Sequence, residues 1–137
     1  MTATQQDPIA LLDSITPSRG NPALTDRDLL LYFPSQIPFT LCEDYQGQMG
    51  SPLTSRRLNP LESLIATQSN VSYLGVKKYL EKIKRGSAIP AIQVLDYGQG
   101  KYLIWNGHHR ATAHYLAGQP VPAVIFEFES IPSLWEK

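Results

Sequence analysis

The run Tyr102-Leu103-Ile104-Trp105-Asn106-Gly107-His108-His109-Arg110-Ala111-Thr112-Ala113 decides how this chain is read. Its first four residues are large and apolar, a strand composition. Asn106-Gly107 breaks the strand. The stretch from His109 to Ala117 reads as a helix, closed by Gly118. Working upstream, Tyr97-Gly98-Gln99-Gly100 is a hairpin signal, and Ile92 and Val94 alternate with Gln93 after Pro90, so a strand pairs back on Tyr102 to Trp105. Before that, Val76, Tyr79, Leu80 and Ile83 recur at helical spacing, with Ser72 as cap and Gly86 as stop. Downstream, Pro120 and Pro122 lead into the strand Val124-Ile125-Phe126. Strands and helices in this order predict an α+β fold, a small mixed β-sheet packed with helices.

The remaining segments are less regular. Residues 1–24, rich in Thr, Gln, Ser, Pro and Gly, read as a loosely ordered N-terminal arm, with one short helix available to Ile9, Leu11, Leu12 and Ile15. Thr25-Asp26-Arg27-Asp28 predicts a helix start, continued by Leu29 to Phe33 and ended by Pro34. Residues 35–57 show no long period, apart from a short strand at Phe39-Thr40-Leu41. Residues 58–70 read as irregular or as one helical turn. The expected organisation is therefore an arm over 1–24 and a single domain over 25–137, its core motif region at 59–126.

Composition narrows the class. At 137 residues, 42% hydrophobic and 18% charged, the chain reads as one globular domain. No apolar run is long enough for a transmembrane helix, and no secretory signal is visible, so a cytoplasmic protein is expected. Cys42 is the only cysteine, which excludes an internal disulfide and a cysteine zinc cage. The net charge of zero hides an asymmetry. Residues 56–110 hold nine basic side chains against Glu62, Glu81 and Asp96, a segment of +6, so the remainder is −6.

The chemistry concentrates at the strand-to-helix turn. The first N–H groups of a helix have no partner within it, and its dipole favours an anion there. Gly107 permits close backbone approach, and Arg110 presents a planar fork of donors suited to phosphate. His108 and His109 sit on the same turn, and His109 is a candidate for acid–base work. On the upstream helix, Lys78 and Lys82 stack at i and i+4 away from the core and add positive charge. A metal site is not expected, because His109 and His114 are i, i+5 and cannot point two ligands at one ion from one helix face. Arg56 and Arg57, expected in a loop, are free to reach a polyanion or a second substrate.

From about Asn59 to Val124, roughly half of the chain, the sequence resembles the ParB/sulfiredoxin superfamily. The resemblance rests on Ile89-Pro90-Ala91-Ile92-Gln93-Val94, the hairpin, the run Tyr102 to Ala113, Leu116-Ala117-Gly118 and Val121-Pro122-Ala123-Val124, in that order. It implies that the Gly-x-x-Arg turn, here Gly107 to Arg110, is a nucleotide phosphate site. Sulfiredoxins place a catalytic cysteine just before their His-Arg pair. Here that position is His108, so sulfinic acid repair is not expected. The partition proteins bind CTP and add a DNA-binding helix-turn-helix domain, for which the 27 residues after the turn are too few. The turn is most similar to the Gly-His-His-Arg form of the free-serine kinase branch, which implies an upstream catalytic glutamate. Glu62 in Pro60-Leu61-Glu62 stands at a comparable place and would act as general base in phosphoryl transfer. Leu61 and Asn106 stand where that branch shows His and Asp.

Three functions are therefore expected in turn. The first is a nucleotide-dependent phosphotransferase or nucleotide hydrolase, with ATP, ADP or CTP and Mg²⁺. Phosphate is held by Gly107, His108, His109 and Arg110 and neutralised by Lys78 and Lys82, with Glu62 and His109 catalytic. Its partners are the nucleotide and a small-molecule or protein acceptor. The second is a non-catalytic nucleotide sensor or adaptor, contacting another protein through its acidic arm and the tail from Phe126 to Trp135. The third is a ParB-like nuclease or nucleic-acid-binding module, motivated by the +6 segment.

Overall fold

A computed structural model describes residues 7–130 of the chain. In chain order its elements are α1 (Pro8–Ile15), a 3-10 turn (Asp26–Asp28), β1 (Leu30–Tyr32), β2 (Thr40–Leu41), β3 (Gly47–Leu58), α2 (Pro60–Ser63), β4 (Leu64–Ala66), β5 (Asn70–Ser72), α3 (Tyr73–Lys84), β6 (Ile92–Gly98), β7 (Lys101–Asn106), α4 (His108–Leu116) and β8 (Val121–Ser130). The fold is α+β. Six strands form a mixed sheet in the order β2-β4-β7-β6-β8-β3, and β1 pairs with β5 in a small antiparallel sheet. No helix among the described residues is long and apolar enough to cross a membrane.

The central hairpin β6–β7 forms as its sequence predicts, with Gly98 and Gly100 at positive φ in the turn. Parallel strands flank it on both sides: β4 beside β7, and β8 beside β6. One face of the sheet carries Ile92, Val94, Ile104, Ala123 and Ile125 into a core shared with Val76 and Leu80 of α3 and with Ala111 and Ala113 of α4. Each fully buried aliphatic side chain contributes about 1.5–3 kcal/mol, so this layer holds α3 and α4 against the sheet. A smaller cluster of Ile65, Leu95 and Leu103, flanked by Phe126 and Phe128, occupies the other face.

Four expectations need correction. The short helix expected from Ile9, Leu11, Leu12 and Ile15 forms as α1 and is docked on the core rather than loosely ordered. Asp7 caps α1 by accepting from the Ile9 N–H at 3.1 Å, and Leu12 is fully buried in the core. Tyr73 donates its hydroxyl to Asp13, and Arg19 reaches both Asp13 and Asp26. An isolated eight-residue helix is unstable in water, so these contacts hold it. Residues 1–6 of the arm, and the tail beyond Ser130 with Trp135, lie outside the described residues.

Second, the helix expected after Thr25 is one 3-10 turn. Asp28 does accept from the Thr25 N–H at 2.8 Å, but Leu30–Tyr32 leave as strand β1 to pair with β5. Tertiary pairing overrides a capping signal followed by only one turn of apolar residues. Third, the segment without a period holds the longest strand, β3, which pairs with β8 at the sheet edge. Its middle is exposed on both faces and its register shifts around Pro52, so no alternation is written into the sequence. Arg56 and Arg57 therefore lie on an edge strand, not in a loop. Fourth, β8 runs from Val121 to Ser130, well beyond the three residues expected.

Candidate functional site

β7 ends at Asn106, and Gly107 turns the chain into α4. Gly107 is the N-cap of α4 at φ +119°, and a Cβ there would stand 2.4 Å from Ile92 Cγ2. Only glycine fits this backbone and this gap. The N–H groups of His108, His109 and Arg110 open the helix, and the first intrahelical bond runs from the Ala111 N–H to the Gly107 carbonyl at 2.9 Å. Three donors are thus left at the positive end of the α4 dipole. The turn, with Gln68 and Tyr79, lines a cleft of about 180 Å³.

The two adjacent histidines are structural staples. His108 is 5% exposed, and its Nε2 accepts from the Thr67 N–H at 2.9 Å. Burial first, and then the neighbouring His109, hold its imidazole at about 4, against an ordinary value of 6.5. It is neutral at physiological pH and cannot serve as a cationic phosphate contact through that ring nitrogen. Thr67 completes the tie by donating its hydroxyl to the Ile104 carbonyl at 2.6 Å.

His109 does the same for α3. Its Nε2 accepts from the Ser72 N–H at 3.1 Å, while Ser72 Oγ, 3.2 Å from the same nitrogen, caps α3 by accepting from the Gly75 N–H. Gly75 is required here, because a Cβ would meet His109 Cδ2 at 2.4 Å. Burial also lowers the His109 value. With Nε2 accepting, the neutral ring carries its proton on Nδ1 and retains that donor.

Arg110 divides its donors. Nη1 donates to the carbonyls of Ala91 at 2.8 Å and Pro90 at 3.2 Å, and Nη2 donates to Asn106 Oδ1 at 3.4 Å. Of the five guanidinium N–H groups, Nε–H and one on Nη2 remain for a ligand. Asn106 thus contributes an acceptor that orients Arg110.

Lys78 and Lys82 are not among the residues that line the cleft, but each lies against one that does. Both ammonium groups lie 5.5 Å from the centre of the Tyr79 ring, and Tyr79 itself lines the cleft. Tyr79, read as a core residue from its spacing, is half-buried and presents these cations.

Glu62 is not brought to this cleft. It lies on α2, and its backbone carbonyl accepts from Lys101 Nζ at the start of β7, whereas the cleft lies at the end of β7. At about 3.3 Å per strand residue, the length of β7 separates the two by roughly 15 Å. Sequence order placed Glu62 near the helix, but α2 packs beside the C-terminal end of α4, where Pro60 and Leu61 share a second cavity with Tyr115. The contacts of Thr67 and Ser72 could not be anticipated from spacing. Their one signal is the polar run Thr67-Gln68-Ser69-Asn70 that follows the apolar strand β4 and leads into Val71-Ser72.

The basic segment is dispersed in space. Arg56 donates to the Tyr102 hydroxyl at 2.6 Å and lies over that ring, while Lys77 lies over Tyr73. Among the described residues no three His, Cys, Asp or Glu side chains gather as metal ligands. No carboxylate among the described residues lines the cleft. No protein-family model, curated protein or solved structure matches this chain.

Proposed function

We propose that the protein binds the phosphate groups of a nucleotide, ATP, ADP or CTP with Mg²⁺, at the turn from Gly107 to Arg110. The observation that supports this most is the gathering of donors at one cleft: three free helix N–H groups, the His109 Nδ1–H and the unspent hydrogens of Arg110, with Lys78 and Lys82 against the Tyr79 ring that lines it. Donors without acceptors, at a helix N-terminus, complement an oxyanion. The resemblance of the turn to the ParB/sulfiredoxin superfamily agrees with this reading. The cleft, at about 180 Å³, is smaller than the ~300 Å³ usual for a complete ligand, so it takes the phosphates and leaves the nucleoside at its mouth. With no carboxylate among the described residues of the cleft, Mg²⁺ travels on the nucleotide phosphates and water.

The placement of Glu62 and His109 favours the sensor or adaptor reading over phosphoryl transfer. A kinase needs a base beside the attacking hydroxyl. Glu62 is remote, and His109 Nε2 is committed to Ser72. Calorimetry with each nucleotide, with and without Mg²⁺, tests binding. A melting-temperature rise of the size expected from about 2.7 kcal/mol at a hundredfold excess over Kd supports it. Absence of binding at millimolar nucleotide refutes it. Turnover that is lost in Glu62→Gln would restore the transferase.

A further inference from the structure

A third cavity, of about 420 Å³, lies against the C-terminal half of α4, beside the loop that follows α3. Along α4, His114 is six residues past His108, about 9 Å of axis, so this cavity is separate from the phosphate cleft. Its polar lining is Arg57, Ser87, His114 and Gln119, and Ile83 and Pro122 supply apolar walls. The volume falls in the range of small-molecule sites.

His114 gives the cavity its chemistry. The residue is 4% exposed, and its Nδ1 lies 2.8 Å from the Arg110 carbonyl. A carbonyl only accepts, so Nδ1 carries the proton and Nε2 is left as a lone-pair acceptor. Nε2 has no protein partner among the described residues, and it is not sealed, so it opens on the cavity. Burial, more than the Arg110 contact or the Arg57 charge, sets the titration of this ring, and its net direction is downward, toward the neutral form.

Arg57 supplies the opposite character. It is exposed on edge strand β3 and makes no salt bridge or side-chain hydrogen bond among the described residues. The Ser87 hydroxyl and the Gln119 side-chain amide also have no hydrogen-bond partner among those residues. An open acceptor and a cation thus line one space with two further polar groups.

We infer that this cavity binds a small oxyanion that also carries an O–H donor, either a hydroxycarboxylate or a protonated phosphate. The charged oxygens take the Arg57 fork, and the hydroxyl donates to His114 Nε2. A simple carboxylate satisfies only Arg57 and, on displacing water from the cavity, leaves His114 Nε2 without a donor, which is the basis of discrimination. The carbon skeleton of a hydroxycarboxylate rests on Ile83 and Pro122.

Imidazole nitrogen NMR on the full chain tests this, using glycerate, inorganic phosphate and propionate as probes. Glycerate or phosphate, whichever is the source, produces a saturable shift of His114 Nε2. Propionate binds at least tenfold more weakly. Arg57→Ala and Arg57→Gln, at an exposed position, weaken the effective probe tenfold or more while the melting temperature is unchanged. If neither glycerate nor phosphate shifts His114, if propionate matches them, or if the shift survives both Arg57 variants, the inference is overturned.

Discussion

Acidification should destabilise this fold through His108, and the size of the effect follows from its burial. In the folded chain the imidazole titrates at about 4, whereas in the unfolded chain it titrates near 6.5. The folded value is depressed, so the neutral form is the one that folding favours. Its contribution is complete above about pH 6.5 and is lost as pH falls from there toward about 4. Between about pH 7.5 and about pH 5 the unfolded ring becomes almost fully protonated and the folded ring does not. Linkage over that interval gives a loss of about 2 kcal/mol.

Structurally, a proton on Nε2 would face the Thr67 N–H at 2.9 Å, setting donor against donor. His109 and His114 are shifted downward as well, so they act in the same direction. Urea unfolding at the two pH values measures the loss, expected as a fall in midpoint of roughly 1 M. His108→Gln keeps an acceptor near the position of Nε2 and cannot titrate, so it should remove about 2 kcal/mol of that pH dependence. Identical pH profiles for wild type and His108→Gln, or an NMR titration of His108 near 6.5, would refute the reasoning.

Other perturbations separate structural from ligand-binding roles. Gly107→Ala forces a side chain into φ +119° and onto Ile92, and should cost roughly 2 kcal/mol or more in chemical unfolding. Gly75→Ala drives a methyl into His109 and should cost about 1–3 kcal/mol, with the His109 resonances displaced in NMR spectra. Arg110→Ala should abolish the nucleotide-dependent rise in melting temperature and also lower basal stability by about 1 kcal/mol, because the Ala91 carbonyl loses its donor. Tyr73→Phe removes the bond to Asp13 and should increase hydrogen exchange across Pro8–Ile15 while leaving nucleotide affinity unchanged.

Local signals in the sequence were sufficient wherever the determining contacts are close in the chain. The hairpin is written as Gly98-Gln99-Gly100 between apolar runs, α3 as a helical period between Ser72 and Gly86, and the turn into α4 as Asn106-Gly107. Each needs only backbone sterics and neighbouring residues. The position of the cleft at that turn follows from the same local rule, since unpaired N–H groups belong to every helix start.

Distant contacts decided the rest. Edge strand β3 has no periodic pattern because little of it is buried, and only pairing with β8 defines it. His108 and His109 look identical in sequence, yet one holds Thr67 and the other holds Ser72, 41 and 37 residues away. Glu62 stands before the helix in sequence order, but the parallel pairing of β4 with β7 carries it to the opposite end of the sheet. The sequence by itself determined where the helix after Gly107 begins. Tertiary structure alone decided which histidines are free to act, because a ring buried against a backbone N–H gives up its charge and its lone pair together.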